Sequence, residues 1–80
     1  MTVTVRFFAS YADSLGVPSM SLEIGEGGTV GDVMRAVAAL PGASTLPRSP
    51  LIAVNHSYAR QTDVLSDGDE VALIPPVAGG

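Results

Sequence analysis

Thr29-Val30-Gly31-Asp32-Val33-Met34-Arg35-Ala36-Val37-Ala38-Ala39-Leu40-Pro41-Gly42 is the stretch that decides how this chain folds. Thr29, followed three residues later by Asp32, resembles a capping box, in which each side chain takes the other residue's backbone N–H. Val30, Val33, Met34, Val37 and Leu40 then fall at helical spacing, and Pro41-Gly42 stops the run. Asp32, Arg35 and Ala39 lie on the other side, so only one face is apolar enough to pack on a sheet. The spacing predicts a single main helix with its stripe in the core.

On the N-terminal side, the loop Gly25-Glu26-Gly27-Gly28 breaks the chain before the helix. Ahead of it Met20, Leu22 and Ile24 alternate with Ser19, Ser21 and Glu23, the pattern of a strand with one face in water. Ser10, with Asp13 three residues on, predicts a short helix capped at Ser10 and ended by Gly16 and Pro18. Residues 2–8 alternate, with Val3, Val5 and Phe7 on one face and Thr4, Arg6 and Phe8 on the other, as in a half-buried strand.

On the C-terminal side, residues 43–50 are rich in Ser, Thr and Pro and read as a connecting loop. Residues 51–54 form a short apolar run suited to a strand buried on both sides. A polar stretch spans 55–63, Ser66-Asp67-Gly68-Asp69 supplies turn chemistry, and residues 70–74 make a last strand. Strand, strand, helix, strand, strand predicts an α+β chain. Its form is a β-grasp, a mixed four- to five-stranded sheet packed on one main helix. Because one helix covers only one face of such a sheet, and the best-alternating strands are the terminal ones, these two are expected side by side at its centre.

Eighty residues make one domain, which buries only roughly 60 to 65% of the surface its unfolded chain exposes. Residues 1–76 read as the folded unit and 77–80 as a flexible tail. A hydrophobic fraction of 46% and a charged fraction of 15% belong to a folding chain rather than a disordered acidic one. The four basic residues are Arg6, Arg35, Arg48 and Arg60, with no lysine, and the net charge is -4. That balance argues against nucleic acid, whose binding needs clustered cations, and for a basic protein surface as complement. No cysteine is present, so disulfides, thiolate metal sites and a cysteine nucleophile are excluded. The first residues lack a signal-peptide pattern and no stretch approaches the roughly 18 apolar residues of a membrane span. A cytoplasmic setting is therefore expected.

Side chains offer little catalytic chemistry. His56 is the sole histidine; its neighbour Ser57 is not placed in reach by adjacency, and His56 reads as an exposed turn residue. Asp67, Asp69 and Glu70 lack the twelve-residue ladder of an EF-hand. The Gly25 to Gly28 loop lacks the lysine of a phosphate loop. The end of the chain differs in kind. Pro75 and Pro76 have no amide hydrogen, so the last strand stops there and the chain leaves extended and stiff. Val77, Ala78, Gly79 and Gly80 follow. Two glycines form a slim end able to enter a narrow tunnel, with the terminal carbonyl open to attack, although a short run of small residues also ends many proteins incidentally. An α-carboxylate with a pKa of about 3.3 to 3.7 is an anion at neutral pH and a poor electrophile. Reaction there needs activation, for instance as a mixed anhydride with AMP, supplied by a partner.

Val5-Arg6-Phe7-Phe8-Ala9, Ala53-Val54-Asn55 and, above all, Leu65-Ser66-Asp67-Gly68-Asp69-Glu70-Val71-Ala72-Leu73-Ile74-Pro75-Pro76-Val77-Ala78-Gly79-Gly80 resemble the molybdopterin synthase small (sulfur-carrier) subunits, MoaD-like members of the MoaD/ThiS ubiquitin-like family. The resemblance covers nearly the whole chain. It implies that Gly80 is adenylylated by an ATP-using, MoeB-like enzyme and becomes a thiocarboxylate with sulfur from a sulfurtransferase or cysteine desulfurase. The tail from Pro75 through Pro76, Val77, Ala78 and Gly79 would insert into a MoaE-like large subunit in a heterotetramer. There it would donate sulfur to cyclic pyranopterin monophosphate in molybdenum cofactor biosynthesis. The resemblance implies that catalytic side chains belong to the large subunit and that no cofactor or metal is bound by this chain. Carriers for thiamine thiazole, cysteine or tRNA thiolation share the Gly-Gly end and the fold. A ubiquitin-like protein modifier and a β-grasp module without covalent chemistry are the other readings.

If Val71 and Leu73 face the helix, Ala72 and Ile74 face away, beside Phe8. Phe8 and Ile74, with Tyr58, then form an apolar anchor for a partner, unless loops of the chain cover them. The acidic set Asp63, Asp67, Asp69 and Glu70 either meets basic residues of a partner or forms a solvated rim.

Overall fold

The computed structural model describes residues 1–43 and 50–75; the loop reading at 44–49 and the tail at 76–80 lie outside them. The elements are β1 (Thr2–Phe7), α1 (Ser10–Leu15), β2 (Ser19–Glu23), α2 (Val30–Ala38), β3 (Leu51–Val54), β4 (Ser57–Tyr58) and β5 (Glu70–Ile74). The sheet order is β2-β1-β5-β3-β4, so β5 is the middle strand. β1 and β5 lie side by side and parallel, with Val5 opposite Val71 and Phe7 opposite Leu73. The other pairings are antiparallel. This is the expected β-grasp.

Alternation along the strands builds the core. Val3, Val5 and Phe7 of β1, Ile52 of β3 and Val71 and Leu73 of β5 face one side of the sheet. There they meet Val30, Val33 and Val37 of α2, Tyr11 of α1 and Leu65. Met34 and Leu40, also in the expected stripe, pack at its margin, partly buried. Burial raises the pKa of the Tyr11 phenol by disfavouring its anion.

The α2 N-terminus is satisfied on all sides. Thr29 Oγ1 accepts from the Asp32 N–H and Asp32 Oδ2 accepts from the Thr29 N–H at 2.8 Å, the reciprocal capping box. The next donors, on Val30 and Gly31, bond to the carbonyls of Asp63 and Gln61 at 3.0 and 2.9 Å. The polar stretch after β4 therefore wraps the helix entrance. Asp32 is held below the usual carboxylate range, first by the Thr29 backbone bond and then by Arg35, with which it pairs.

Two expectations are corrected. The N-cap of α1 is Ala9, at φ 48, with no side-chain cap bond, and Ser10 is already inside the helix; the sharp exit from β1 starts helical geometry one residue earlier than a Ser10 cap requires. Gly16 does end α1, at φ 79. β3 is not buried on both sides: Ile52 is buried, but Leu51 is 41% exposed and Ala53 and Val54 are half-buried, because among the described residues no second layer covers the face opposite α2. The polar stretch from Asn55 also holds the fifth strand of the four- to five-stranded sheet, the two-residue β4, which the order of four strands does not name.

Candidate functional site

The uncovered face of the sheet carries the site. Here β1 supplies Thr4 and Arg6, β5 supplies Glu70, Ala72 and Ile74, and β3 supplies Leu51 and Ala53. Register lines these up in rows. Arg6 is opposite Ala72, Ala72 opposite Ala53, and Ala53 opposite Tyr58; Leu51 is opposite Ile74. Two alanines in the middle of a row leave a low floor between taller side chains. The result is a shallow, solvent-open trough of about 320 Å³ lined by Arg6, Phe8, Ala53, His56, Tyr58, Glu70, Ala72 and Ile74.

Its apolar walls answer the question left by the sequence. Phe8 is 42% exposed and Tyr58 79% exposed, and Ile74 is half-buried. The structure thus brings Phe8, Tyr58 and Ile74 together around one depression, and the described residues leave it open. Pro75, half-buried, follows at the end of β5, so the chain leaves the sheet beside the trough. Pro76, Val77, Ala78, Gly79 and Gly80 lie outside the described residues.

Charged walls were not expected from the pattern. Glu70 Oε1 lies 3.7 Å from Arg6 Nη1 and 3.7 Å from His56 Nε2, and the Arg6 guanidinium sits 5.8 Å from the centroid of the Phe8 ring, within cation–π range. His56 is the exposed turn residue predicted, but the turn aims it into the trough. Arg6 and Ala53 could have been found from period-2 alternation alone, since both share the outward face with Ala72. His56 could not, because its place depends on the turn.

Asn55 explains that placement. Asn55 and His56 take φ 49 and φ 73, the left-handed pair that a tight two-residue hairpin needs. The Asn55 side chain locks it, with Oδ1 accepting from the Glu70 N–H at 3.0 Å and Nδ2 donating to Asp69 Oδ1 at 2.9 Å. The β3–β4 turn is thereby bolted to the start of β5. The acidic residues are similarly engaged within the chain. Asp67 Oδ1 accepts from the Thr2 N–H, Asp69 Oδ2 from the Ser66 N–H and Asp63 Oδ2 from the Arg60 N–H, at 2.8 to 3.0 Å. The bonds from Ser66 and Asn55, in that order, hold the Asp69 carboxyl below its usual range. These carboxylates shape turns, which accounts for the Asp-Gly-Asp-Glu run. No helix among the described residues is long and apolar enough to cross a membrane.

The ThiS family model matches residues 5–80. The chain belongs to the ThiS family. Among curated relatives, it is 36% identical over 83 residues to the molybdopterin synthase sulfur carrier subunit of Chlamydomonas reinhardtii, covering 100% of both chains. Among solved structures it resembles small archaeal modifier protein 1 of Haloferax volcanii, with TM-score 0.84 and 27% identity, covering 95% of this chain and 98% of that one. It also resembles a chain in the complex of subunits 1 and 2 of the molybdopterin-converting factor of Helicobacter pylori, with TM-score 0.74 and 25% identity, covering 100% of each. This family member therefore has the ubiquitin-like β-grasp fold and is homologous to sulfur carrier subunits.

Proposed function

We propose that the chain is the sulfur carrier subunit of a molybdopterin synthase, with Gly80 as its working residue. The observation that carries this reading is the full-length similarity to a molybdopterin synthase sulfur carrier subunit at 36% identity. The family match also runs through Gly80. A carboxylate oxygen of Gly80 attacks the α-phosphorus of ATP in an activating partner, forming the acyl adenylate and releasing pyrophosphate. A hydrosulfide equivalent, from a sulfurtransferase or cysteine desulfurase, then adds to the carbonyl and displaces AMP, leaving a terminal thiocarboxylate. The large subunit receives the tail, and the sulfur passes to cyclic pyranopterin monophosphate. A large-subunit partner is supported by the two-subunit complex of the Helicobacter pylori relative. Phe8, Tyr58 and Ile74 dock the carrier on that partner, with Pro75 and Pro76 as a stiff lead into the tail.

Incubating the chain with a family adenylylating enzyme, ATP and a sulfur source should replace one oxygen by sulfur in the intact mass. Removing Gly80 should abolish the replacement while the fold persists. An unchanged mass under conditions that thiolate another family member refutes the reading.

The modifier reading is favoured by the similarity to small archaeal modifier proteins 1 and 3 of Haloferax volcanii, the latter 28% identical over 92 residues. Under it a lysine amine attacks the carbonyl of the Gly80 acyl adenylate and displaces AMP with loss of a proton, and isopeptide-linked adducts accumulate in cells.

A further inference from the structure

The geometry points to a carboxylate on the docking partner that lands on Arg6, in the trough between Phe8 and His56, and displaces the internal carboxylate of Glu70. The inference rests on the carrier reading above and names the chemistry of the partner surface. It runs against the whole-chain charge: a net charge of -4 suggests a basic partner, yet the trough has its own balance.

Arg6 and Glu70 are the charged side chains that line the trough, with the polar tips of His56 and Tyr58 beside them. The remaining carboxylates close in sequence are engaged by backbone donors: Asp69 by Ser66, Asp67 by Thr2 and Asp63 by Arg60. Of the other arginines in the described residues, Arg35 is paired with Asp32 on α2, on the far side of the sheet, and Arg60 lies outside the trough lining. Among the arginines of the described residues, Arg6 is thus the one set beside the apolar walls.

The internal partner holds that charge loosely. One oxygen of Glu70 serves both Arg6 and His56, each at 3.7 Å, beyond the 2.7 to 3.2 Å of a hydrogen bond. A guanidinium presents five N–H donors in a planar fork that matches a carboxylate in bidentate fashion. The Arg6 side chain is 50% exposed, so that fork is within reach of a docking surface. Its stacking on Phe8 pre-orients the group, lowering the ordering cost of a new pair. Apolar contact on Phe8, Tyr58 and Ile74 would shield the new pair from water and strengthen it.

Opposite signs test this. Titration calorimetry would measure the affinity of the purified chain for the large synthase subunit of the same organism. Arg6→Gln should weaken binding about tenfold or more, the lower end for a hydrogen bond to a charged group. Arg6→Lys should lose part of that, keeping charge without the fork. Glu70→Gln, by removing the competitor, should tighten binding by about threefold, the scale of one exposed ion pair. Thermal melts check that each variant stays folded. If Glu70→Gln weakens binding while Arg6→Gln leaves it unchanged or tightens it, the partner group is basic and the inference is overturned. Failure of thiolation at Gly80 would instead refute the carrier reading, and the two outcomes are read in separate assays.

Discussion

Replacing Asn55 with alanine should destabilise the fold by far more than its exposed position suggests. The side chain makes two hydrogen bonds, from the Glu70 N–H at 3.0 Å and to Asp69 Oδ1 at 2.9 Å, each worth about 0.5 to 1.5 kcal/mol net. The residue sits at φ 49, where an alanine Cβ crowds the following carbonyl at a cost of roughly 1 to 2 kcal/mol. Together these give a loss of about 2 to 5 kcal/mol for Asn55→Ala. Asn55→Gly loses the same two bonds but relieves the backbone. After paying for the freedom glycine has when unfolded, it should remain about 0.5 to 1 kcal/mol more stable than the alanine variant. In a domain of this size each kcal/mol moves the melting temperature by about 4 to 8 °C. Urea and thermal unfolding of the three proteins measure all of this. An alanine variant within about 0.5 kcal/mol of the parent, or a glycine variant below the alanine one, would refute the account of the turn.

Three further outcomes are expected. Gly42→Ala should cost about 2 to 4 kcal/mol, because a Cβ there would lie 2.5 Å from the Ser14 carbonyl oxygen at φ +86; unfolding midpoints check it. Asp32 and Asp69 both have folded pKa values below the ordinary 3.8, so their contribution is present above that value and is lost as pH falls through the depressed folded values. Asp32→Asn and Asp69→Asn should therefore lose stability at neutral pH and converge on the parent in acid, as a urea midpoint series against pH would show. Leu73, fully buried, and Tyr58, 79% exposed, should separate fold from docking. Leu73→Ala should cost about 2 to 5 kcal/mol, whereas Tyr58→Ala should shift stability by less than about 0.5 kcal/mol and weaken large-subunit binding measured by calorimetry.

The elements most legible in sequence were those whose local and tertiary signals agree. The Thr29–Asp32 box and the stripe from Val30 to Val37 make a helix that packs where the stripe points. Period-2 alternation placed Val3, Val5, Phe7, Val71 and Leu73 inward and Phe8 and Ile74 outward. β4 was hidden because a two-residue strand has no period to read, and because its turn uses Asn-His where Asn-Gly gives the clear signal. The exposure of Leu51 is not legible in sequence, since an apolar run does not say how many layers cover it. The charged lining escaped for a related reason: Arg6, His56 and Glu70 come from three distant parts of the chain, and only the strand order brings them within ion-pair distance.

Strand order also fixes where β5 ends. β5 is hydrogen-bonded on both sides, to β1 and to β3, and it carries buried Val71 and Leu73 on one face against Glu70, Ala72 and Ile74 on the other. A slip of one residue would turn Val71 and Leu73 into water and push Glu70 into the core, so the register is strongly held. Pro75, lacking an N–H, then ends the ladder at a set point beside Ile74. The sheet therefore holds the end of β5 at a fixed distance from Phe8, Tyr58 and Arg6. A partner that recognises the trough meets Pro75 in one geometry, and the same alternation that buries the core sets that geometry.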